Sequence, residues 1–283
     1  ADRPNVVFIL VDDMGYGDIG PFGVTDIKTP HLDRLAREGV KLTDSYAAGS
    51  VCSPTRVAFL TGRYQHRVGM EWANYWIGSD KGLSTSEISI ARMLKNNGYA
   101  TGIIGKWHVG GTVEIAPNAH GFDQFFGFLG PNVDFYTHQE VIPMTGVPDL
   151  WENTKPVKAE GYMTDLITEH SVTFITNHAR KPFFLFVSYN APHWPFQPPD
   201  RRWVAKPENY LEGTRRDYNR MVERIDDGIG EILQTLDEKK LGENTLVIFT
   251  SDNGGERLSR NAPFFHHKAT LWEGGIRVPS LIR

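Results

Sequence analysis

Asn5-Val6-Val7-Phe8-Ile9-Leu10-Val11 is an unbroken apolar run that stops at Asp12-Asp13. With no polar alternation it predicts a strand buried on both faces, the kind found inside parallel sheets, with two acids at its carboxyl end. Downstream, Thr29-Pro30 supplies a helix cap and first turn, Leu32 and Leu35 share one face, and Gly39 is the stop. Ser86 precedes the helical pattern Ile90, Met93, Leu94, which Gly98 ends, and a strand from Ala100 to Lys106 delivers Trp107 and His108. The unit recurs twice: a helix from Met163 to Ala179 leads to a strand over 182–188, and a long helix from Arg215 to Lys239 leads to a strand over 245–250. In the long helix Tyr218, Met221, Ile225, Ile229, Ile232 and Leu236 form one apolar stripe, which is core packing. Alternating helices and short apolar strands predict an α/β fold with a largely parallel central sheet and helices on both faces. Such sheets collect ligands at the carboxyl ends of their strands. Three irregular stretches, His66 to Ser84, Gly127 to Gly161 and Pro192 to Thr214, each adjoin a motif and are expected to be loops bordering a pocket.

At 283 residues the chain has room for one large domain. Thirty Lys and Arg against 34 Asp and Glu give a net charge of −4, so nucleic acid is not an expected partner and any anion site must be local. No stretch reaches the roughly 18 apolar residues of a membrane span. Ala1-Asp2-Arg3-Pro4 carries no secretory signal, a picture that a removed signal would also leave.

Cys52 is the only cysteine, which excludes an intramolecular disulfide. It opens Cys52-Ser53-Pro54-Thr55-Arg56, followed by Leu60-Thr61-Gly62-Arg63. Pro54 fits the first turn of a helix whose N–H groups favour an anion, and Arg56 points back toward that helix start. On these residues alone, an activated nucleophile and a small buried hydrophobe are equally open readings. Asp252-Asn253 follow a second apolar strand. If that strand neighbours the first, three carboxylates and an amide oxygen meet in a hard-cation set; calcium accepts it, magnesium stays open, and helix capping is the alternative. Gly105-Lys106-Trp107-His108-Val109-Gly110 places a cation and an imidazole at a strand end, and Ala191-Pro192-His193 places a second imidazole. His266-His267-Lys268 precedes Trp272-Glu273-Gly274-Gly275-Ile276-Arg277. The two histidines are not read as a zinc site, because consecutive side chains rarely face one metal. Glu273 and Arg277 are read as support for the site or as local packing.

Together these segments, spread from Val6 to Arg277, resemble the type I sulfatases of the alkaline phosphatase superfamily, relatives of the arylsulfatases and N-acetylgalactosamine sulfatases. The resemblance implies an alkaline-phosphatase-like fold in which residues 1–283 are the catalytic domain. Members of that family usually add more of that domain and a smaller C-terminal antiparallel subdomain, which residues 1–283 do not include. It implies hydrolysis of a sulfate monoester by a formylglycine that a maturation enzyme makes from Cys52, with one Ca2+ held by Asp12, Asp13, Asp252 and Asn253. Lys106 and Lys268 would neutralise the sulfate, Arg56 would add fixed positive charge, His108 would contact the hydrated formylglycine, and His193 would protonate the departing oxygen. On this pattern the hydrate attacks sulfur with Asp252 as base and the alcohol leaves. His108 then takes a proton from the second hydroxyl, and sulfate is expelled as the aldehyde reforms. Growing negative charge on the ester oxygen is what such an array of cations would stabilise. The alternatives are a phosphonate or phosphate ester hydrolase of the same superfamily and an inactive carbohydrate-binding relative. The resemblance favours a sulfated carbohydrate as substrate and an exported protein, whether periplasmic, secreted or lysosomal. His138, Trp194, Arg201 and Arg202 are candidate substrate contacts. Trp72, Trp76, Trp151 and Trp203 offer flat faces that could stack on sugars or equally anchor loops.

Overall fold

A computed structural model describes residues 3–73, 76–141 and 146–283; Ala1, Asp2 and short pieces of two irregular stretches lie outside the described residues. Within them nine strands make one sheet: β1 Asn5–Val11, β2 Val40–Leu42, β3 Ala100–Lys106, β4 Gln124–Phe128, β5 Trp151–Glu152, β6 Lys155–Pro156, β7 Phe183–Ser188, β8 Thr245–Ser251 and β9 Ser280–Ile282. Their spatial order is β2-β9-β8-β1-β7-β3-β4-β5-β6. The five central strands from β8 to β4 run parallel, and the two edges are antiparallel. The helices are α1 Pro30–Glu38, α2 Cys52–Thr61, α3 Ile90–Asn96, α4 Met163–His178, α5 Arg215–Glu238 and the short α6 Glu273–Ile276.

The apolar run of β1 is buried on both sides because its alternate residues serve two cores. Val7, Ile9 and Val11 meet α1, α4 and α5 on one face, while Phe8 and Leu10 meet α2 and α3 on the other. The stripe of α5 lies wholly in the first core, and Ile229 is fully buried there. Ile229→Ala is expected to destabilise the protein by about 2–5 kcal/mol, read as a shift of the urea midpoint at constant slope. A loss under about 1 kcal/mol would remove α5 from the core assignment.

Three local expectations are corrected. α3 is capped by Ser89, whose hydroxyl accepts from the Arg92 N–H, whereas Ser86 bonds Ser84 one turn too early. Thr29 holds the N-cap position of α1, but its hydroxyl is engaged by the Gly20 N–H. The first-turn N–H groups of His31 and Leu32 instead donate to the Asp226 carboxylate of α5, at 3.0 and 2.8 Å. Finally, β8, read as a second apolar strand, carries Thr245, Thr250 and Ser251 and is buried on one face only: α2 and α3 cover the β1–β4 half of that side, leaving Leu246 exposed and Ile248 partly open. A trough of about 590 Å³ runs there between β8, β9 and α2, lined by Phe8, Leu42, Phe59, Ile248 and Ile282.

Candidate active site

Four parallel strands end side by side at the carboxyl edge, each delivering polar residues. The register Val11↔Ser251 sets Asp12-Asp13 of β1 level with Asp252-Asn253 of β8. β3 ends at Lys106 and is followed by His108; β7 ends at Ser188 and leads through Asn190 to His193. β3 approaches β7 so closely at this end that a Cβ on Gly105 would lie 2.0 Å from the Ser188 carbonyl oxygen, and Gly105 has φ +114, so only glycine fits. α2 brings Cys52 in at its first turn, where no side chain caps the backbone N–H groups. Lys268 arrives on the loop before α6, its N–H bonded to the Gly255 carbonyl at 3.2 Å.

These groups close on one another. Cys52 Sγ donates to Asp12 Oδ1 at 3.3 Å, and Lys106 Nζ is paired with Asp12 Oδ2. Lys268 Nζ lies 2.6 Å from Asp13 Oδ2, with His193 Nε2 3.5 Å from the same oxygen. Arg56 grips Asp252 Oδ2 through Nε and Nη2 at 3.2 and 3.0 Å and reaches the Ser188 hydroxyl through Nη1 at 2.7 Å. Three carboxylates thus face two lysines and an arginine, in a region where Asp12, Lys106, Arg56 and Asp252 are all within 1% of full burial.

The electrostatics follow from that burial. Burial works to raise the Asp12 carboxyl, but Lys106, with His193, Arg56 and Lys268 behind it, holds it well below its ordinary range. Asp252 goes the other way, pushed up to about 7 by burial and the Asp12 charge against the opposing Arg56. The Lys268 ammonium, opposed by burial, is held well above its usual value by Asp13. Burial and the Asp12 carboxylate push the Cys52 thiol well up, so at neutral pH it is a thiol and not a thiolate. Burial lowers His193 to about 4 and His108 well below its ordinary value. His193 Nδ1 lies 2.6 Å from the Trp194 carbonyl oxygen. A carbonyl only accepts, so the proton sits on Nδ1 and Nε2 is the nitrogen turned to Asp13. His108 has no partner on either ring nitrogen among the described residues, and like Asp13 it holds a left-handed backbone, φ 58 and 65. Non-glycine residues in that conformation, with unmatched buried donors, cluster at functional sites.

A divalent cation fits the carboxylate end. Asn253 donates its amide to Asp13 Oδ1 at 2.7 Å and to the Gly254 carbonyl at 3.0 Å, which leaves its buried Oδ1 without a partner. An orphaned amide oxygen beside three carboxylates is a hard-cation donor set. Asp12, Asp13, Cys52 and His193 also present atoms within 4.8 Å of one another, but a protonated thiol is a poor zinc ligand.

The candidate substrate residues divide. Trp194 adjoins the cluster, 4.4 Å from the His193 ring and 5.1 Å from Tyr210. His138 is buried near Phe135, Ala159 and Gly161, Arg201 pairs with Asp217 at 3.1 Å, and Arg202 lies over the Tyr136 ring at 5.3 Å. None of these three shares a hydrogen bond or ion pair with the Cys52 cluster. Of the other tryptophans, Trp151 is pinned to Asp149 at 2.7 Å and Trp72 is exposed. Arg277 and Glu273 form a local pair at 2.9 Å. Sequence reasoning missed Ser188, which orients Arg56, and Ser53, whose hydroxyl holds the His108 carbonyl at 2.6 Å. It also missed Glu256, hydrogen-bonded to Trp194 and near Asp13 and Lys268. Ser188 did leave a signal, as the one polar residue closing an otherwise apolar strand.

Comparison with known proteins bears on the whole chain. A family model described as Sulfatase matches residues 4–283. Human N-acetylgalactosamine-6-sulfatase is 36% identical over 98% of this chain and 56% of its own length, and mouse arylsulfatase J is 35% identical over 100% and 48%. The chain therefore spans about half the length of these relatives. Among solved structures, that of Ps i-CgsB in complex with k-i-k-neocarrahexaose superposes with a TM-score of 0.90 at 35% identity, covering 100% of this chain and 66% of the other.

Proposed function

The chain belongs to the sulfatase family, within the alkaline phosphatase superfamily, and from that membership we propose that residues 1–283 form a catalytic domain hydrolysing the sulfate monoester of a carbohydrate. The nucleophile is a formylglycine made from Cys52 by a maturation enzyme. One observation carries this reading: the lone cysteine sits in the middle of the charged cluster, yet its surroundings suppress the thiolate. Evolution of a cysteine protease-like or phosphatase-like thiol would do the opposite and lower its pKa. A side chain placed at the reacting centre but kept from ionising is one awaiting conversion.

Asp12, Asp13, Asp252 and Asn253 would hold the cation, which we assign as calcium; bound there it supplies Lewis-acid polarisation and charge neutralisation. Lys106, Lys268 and Arg56 would face the sulfonyl oxygens; their pairs with Asp12, Asp13 and Asp252 hold them before substrate arrives, so their charge would act without reorganisation. Asp252 would accept a proton from the hydrated side chain at position 52. His193, held by the Trp194 carbonyl, offers Nε2 for the proton of the departing oxygen, and the negative charge of a bound sulfate ester favours its protonation. The support for a carbohydrate is the N-acetylgalactosamine-6-sulfatase likeness and the saccharide bound in the Ps i-CgsB structure. An exported setting, periplasmic, secreted or lysosomal, belongs to the same reading; no helix among the described residues is long and apolar enough to cross a membrane.

The test is turnover of nitrophenyl sulfate and nitrophenyl phosphate side by side by the converted protein, with sulfate expected to dominate; preferential phosphate cleavage would move the chain to the phosphate ester class. His193→Ala tests the acid. Nitrophenolate leaves without a proton, whereas a sugar alkoxide does not, so kcat on a sugar sulfate is expected to fall by roughly 10²-fold more than kcat on nitrophenyl sulfate. Equal losses on the two substrates would reassign His193 to sulfate binding.

A further inference from the structure

The turn that follows β1 and the loop that follows β8 both hang on one carboxylate outside the reacting cluster. Asp18 is fully buried. Its Oδ2 accepts from the Gly15 N–H at 3.2 Å, from the Arg260 N–H at 3.0 Å and from the Tyr218 hydroxyl at 2.6 Å, while Arg215 Nη2 lies 2.7 Å from Oδ1. Tyr218 and Arg215 belong to α5, so three separate segments meet at this side chain. The turn and the loop also join directly: the Gly17 N–H donates to the Arg260 carbonyl at 2.9 Å, and a Cβ on Gly15 would lie 2.4 Å from that oxygen.

Both lead to one ion pair of the site. Gly15 stands two residues past Asp13. Arg260 precedes Asn261, whose Oδ1 accepts from the Gly255 N–H at 2.8 Å, and the Gly255 carbonyl accepts from the Lys268 N–H at 3.2 Å. Asp13 and Lys268 then meet at 2.6 Å. We infer that Asp18, clamped by Tyr218 and Arg215, is a positioning residue: it fixes Asp13 for the divalent cation and Lys268 for the sulfate by holding the turn and the loop at one separation. The inference rests on the cation and sulfate roles proposed above and adds what sets them. Two features point to geometry as the purpose of this buried acid. Asp13 has φ 65, a conformation that persists only where the surrounding structure holds it. Burial raises the Asp18 carboxyl against Arg215 and Tyr218, so the charge is kept there at a cost that a well-packed apolar side chain would not carry. The hydroxyl of Tyr218 thus gives the α5 stripe a role beyond core packing.

The experiment compares Asp18→Asn and Tyr218→Phe with Ile229→Val, which loosens the same helix further along, away from the clamp. Calcium is titrated calorimetrically into metal-stripped protein with Cys52 unconverted, and KM for nitrophenyl sulfate is measured on converted protein at saturating calcium. Asp18→Asn is expected to weaken calcium binding by roughly tenfold to hundredfold and to raise KM by about threefold or more. Tyr218→Phe, which removes one donor and keeps the ring, should shift both in the same direction by about threefold. Ile229→Val should leave both within about twofold of wild type whatever its melting temperature. Wild-type calcium affinity and KM in Tyr218→Phe and in folded Asp18→Asn would overturn the inference, as would equal shifts in Ile229→Val, which would mark general loosening. Should Asp18→Asn not fold, Tyr218→Phe decides alone. The failures are separable. A wild type that binds calcium but cleaves no sulfate ester sinks the proposed function, and the calcium titration still decides the clamp. A wild type that cleaves without binding calcium sinks the cation assignment, and KM decides.

Discussion

Cys52→Ala is expected to lower kcat/KM for nitrophenyl sulfate by roughly 10⁴-fold or more, the largest effect of any single change in this protein. The same silence is expected of wild-type protein that keeps its thiol. Buried beside the Asp12 carboxylate, that thiol is pushed well above its ordinary pKa, and at neutral pH it has almost no thiolate to attack with. Activity across preparations should track the fraction of the peptide containing position 52 that mass spectrometry finds as aldehyde. Full turnover by protein carrying only the thiol would falsify the mechanism. An inactive carbohydrate-binding relative predicts a third outcome, conversion or none with no turnover in either, and the paired measurement tells these apart.

The second large effect is loss of the cation. Stripping the proposed divalent cation with a chelator, or replacing Asp13 by alanine, is expected to cost at least roughly 10²-fold in turnover, with calcium the best rescuer of the chelated wild type. Metal analysis should find one bound ion per chain in the wild type and less in Asp13→Ala. The Asp13 change has a second consequence that metal removal lacks. Lys268 loses its carboxylate partner at 2.6 Å, and with it the charge that holds its ammonium form against burial. Added calcium should therefore fail to rescue Asp13→Ala even at saturation. Wild-type metal content and turnover in both Asp13→Ala and Asp252→Ala would show that the cation lies elsewhere.

Much of this was readable in the chain because it depends on local pattern. β1 announced itself by an apolar run, since a strand serving two cores cannot afford a polar face, and the acids after it marked the sheet edge where sites form. Four of the five parallel strands followed from the helix–strand alternation; β4 did not, because no α-helix separates it from β3 and its last two residues fall in a stretch read as loop. β2, β5, β6 and β9 did not, because strands of two or three residues carry no period to detect. In the site, the types of charge were legible but their pairing was not. Nothing local says that Lys106 sits on Asp12, Lys268 on Asp13 and Arg56 on Asp252, because that depends on which strands become neighbours. Arg201 and Arg202 looked free in the sequence for the same reason: their partners, Asp217 and Tyr136, are supplied by the fold.

The Asp226 carboxylate that closes the first turn of α1 has a consequence for the order in which the molecule assembles. α1 has nine residues, too few to persist alone in water, and its own Thr29 is turned away to Gly20. Its leading amides find their acceptor 195 and 194 positions later in the chain, on α5. The N-terminal helix therefore cannot serve as an early nucleus during synthesis; it becomes stable only when a segment made much later docks against it. Amide exchange at His31 and Leu32 should accordingly be as slow as exchange in the buried stripe of α5, set by the joint opening of two helices and not by fraying of a chain end.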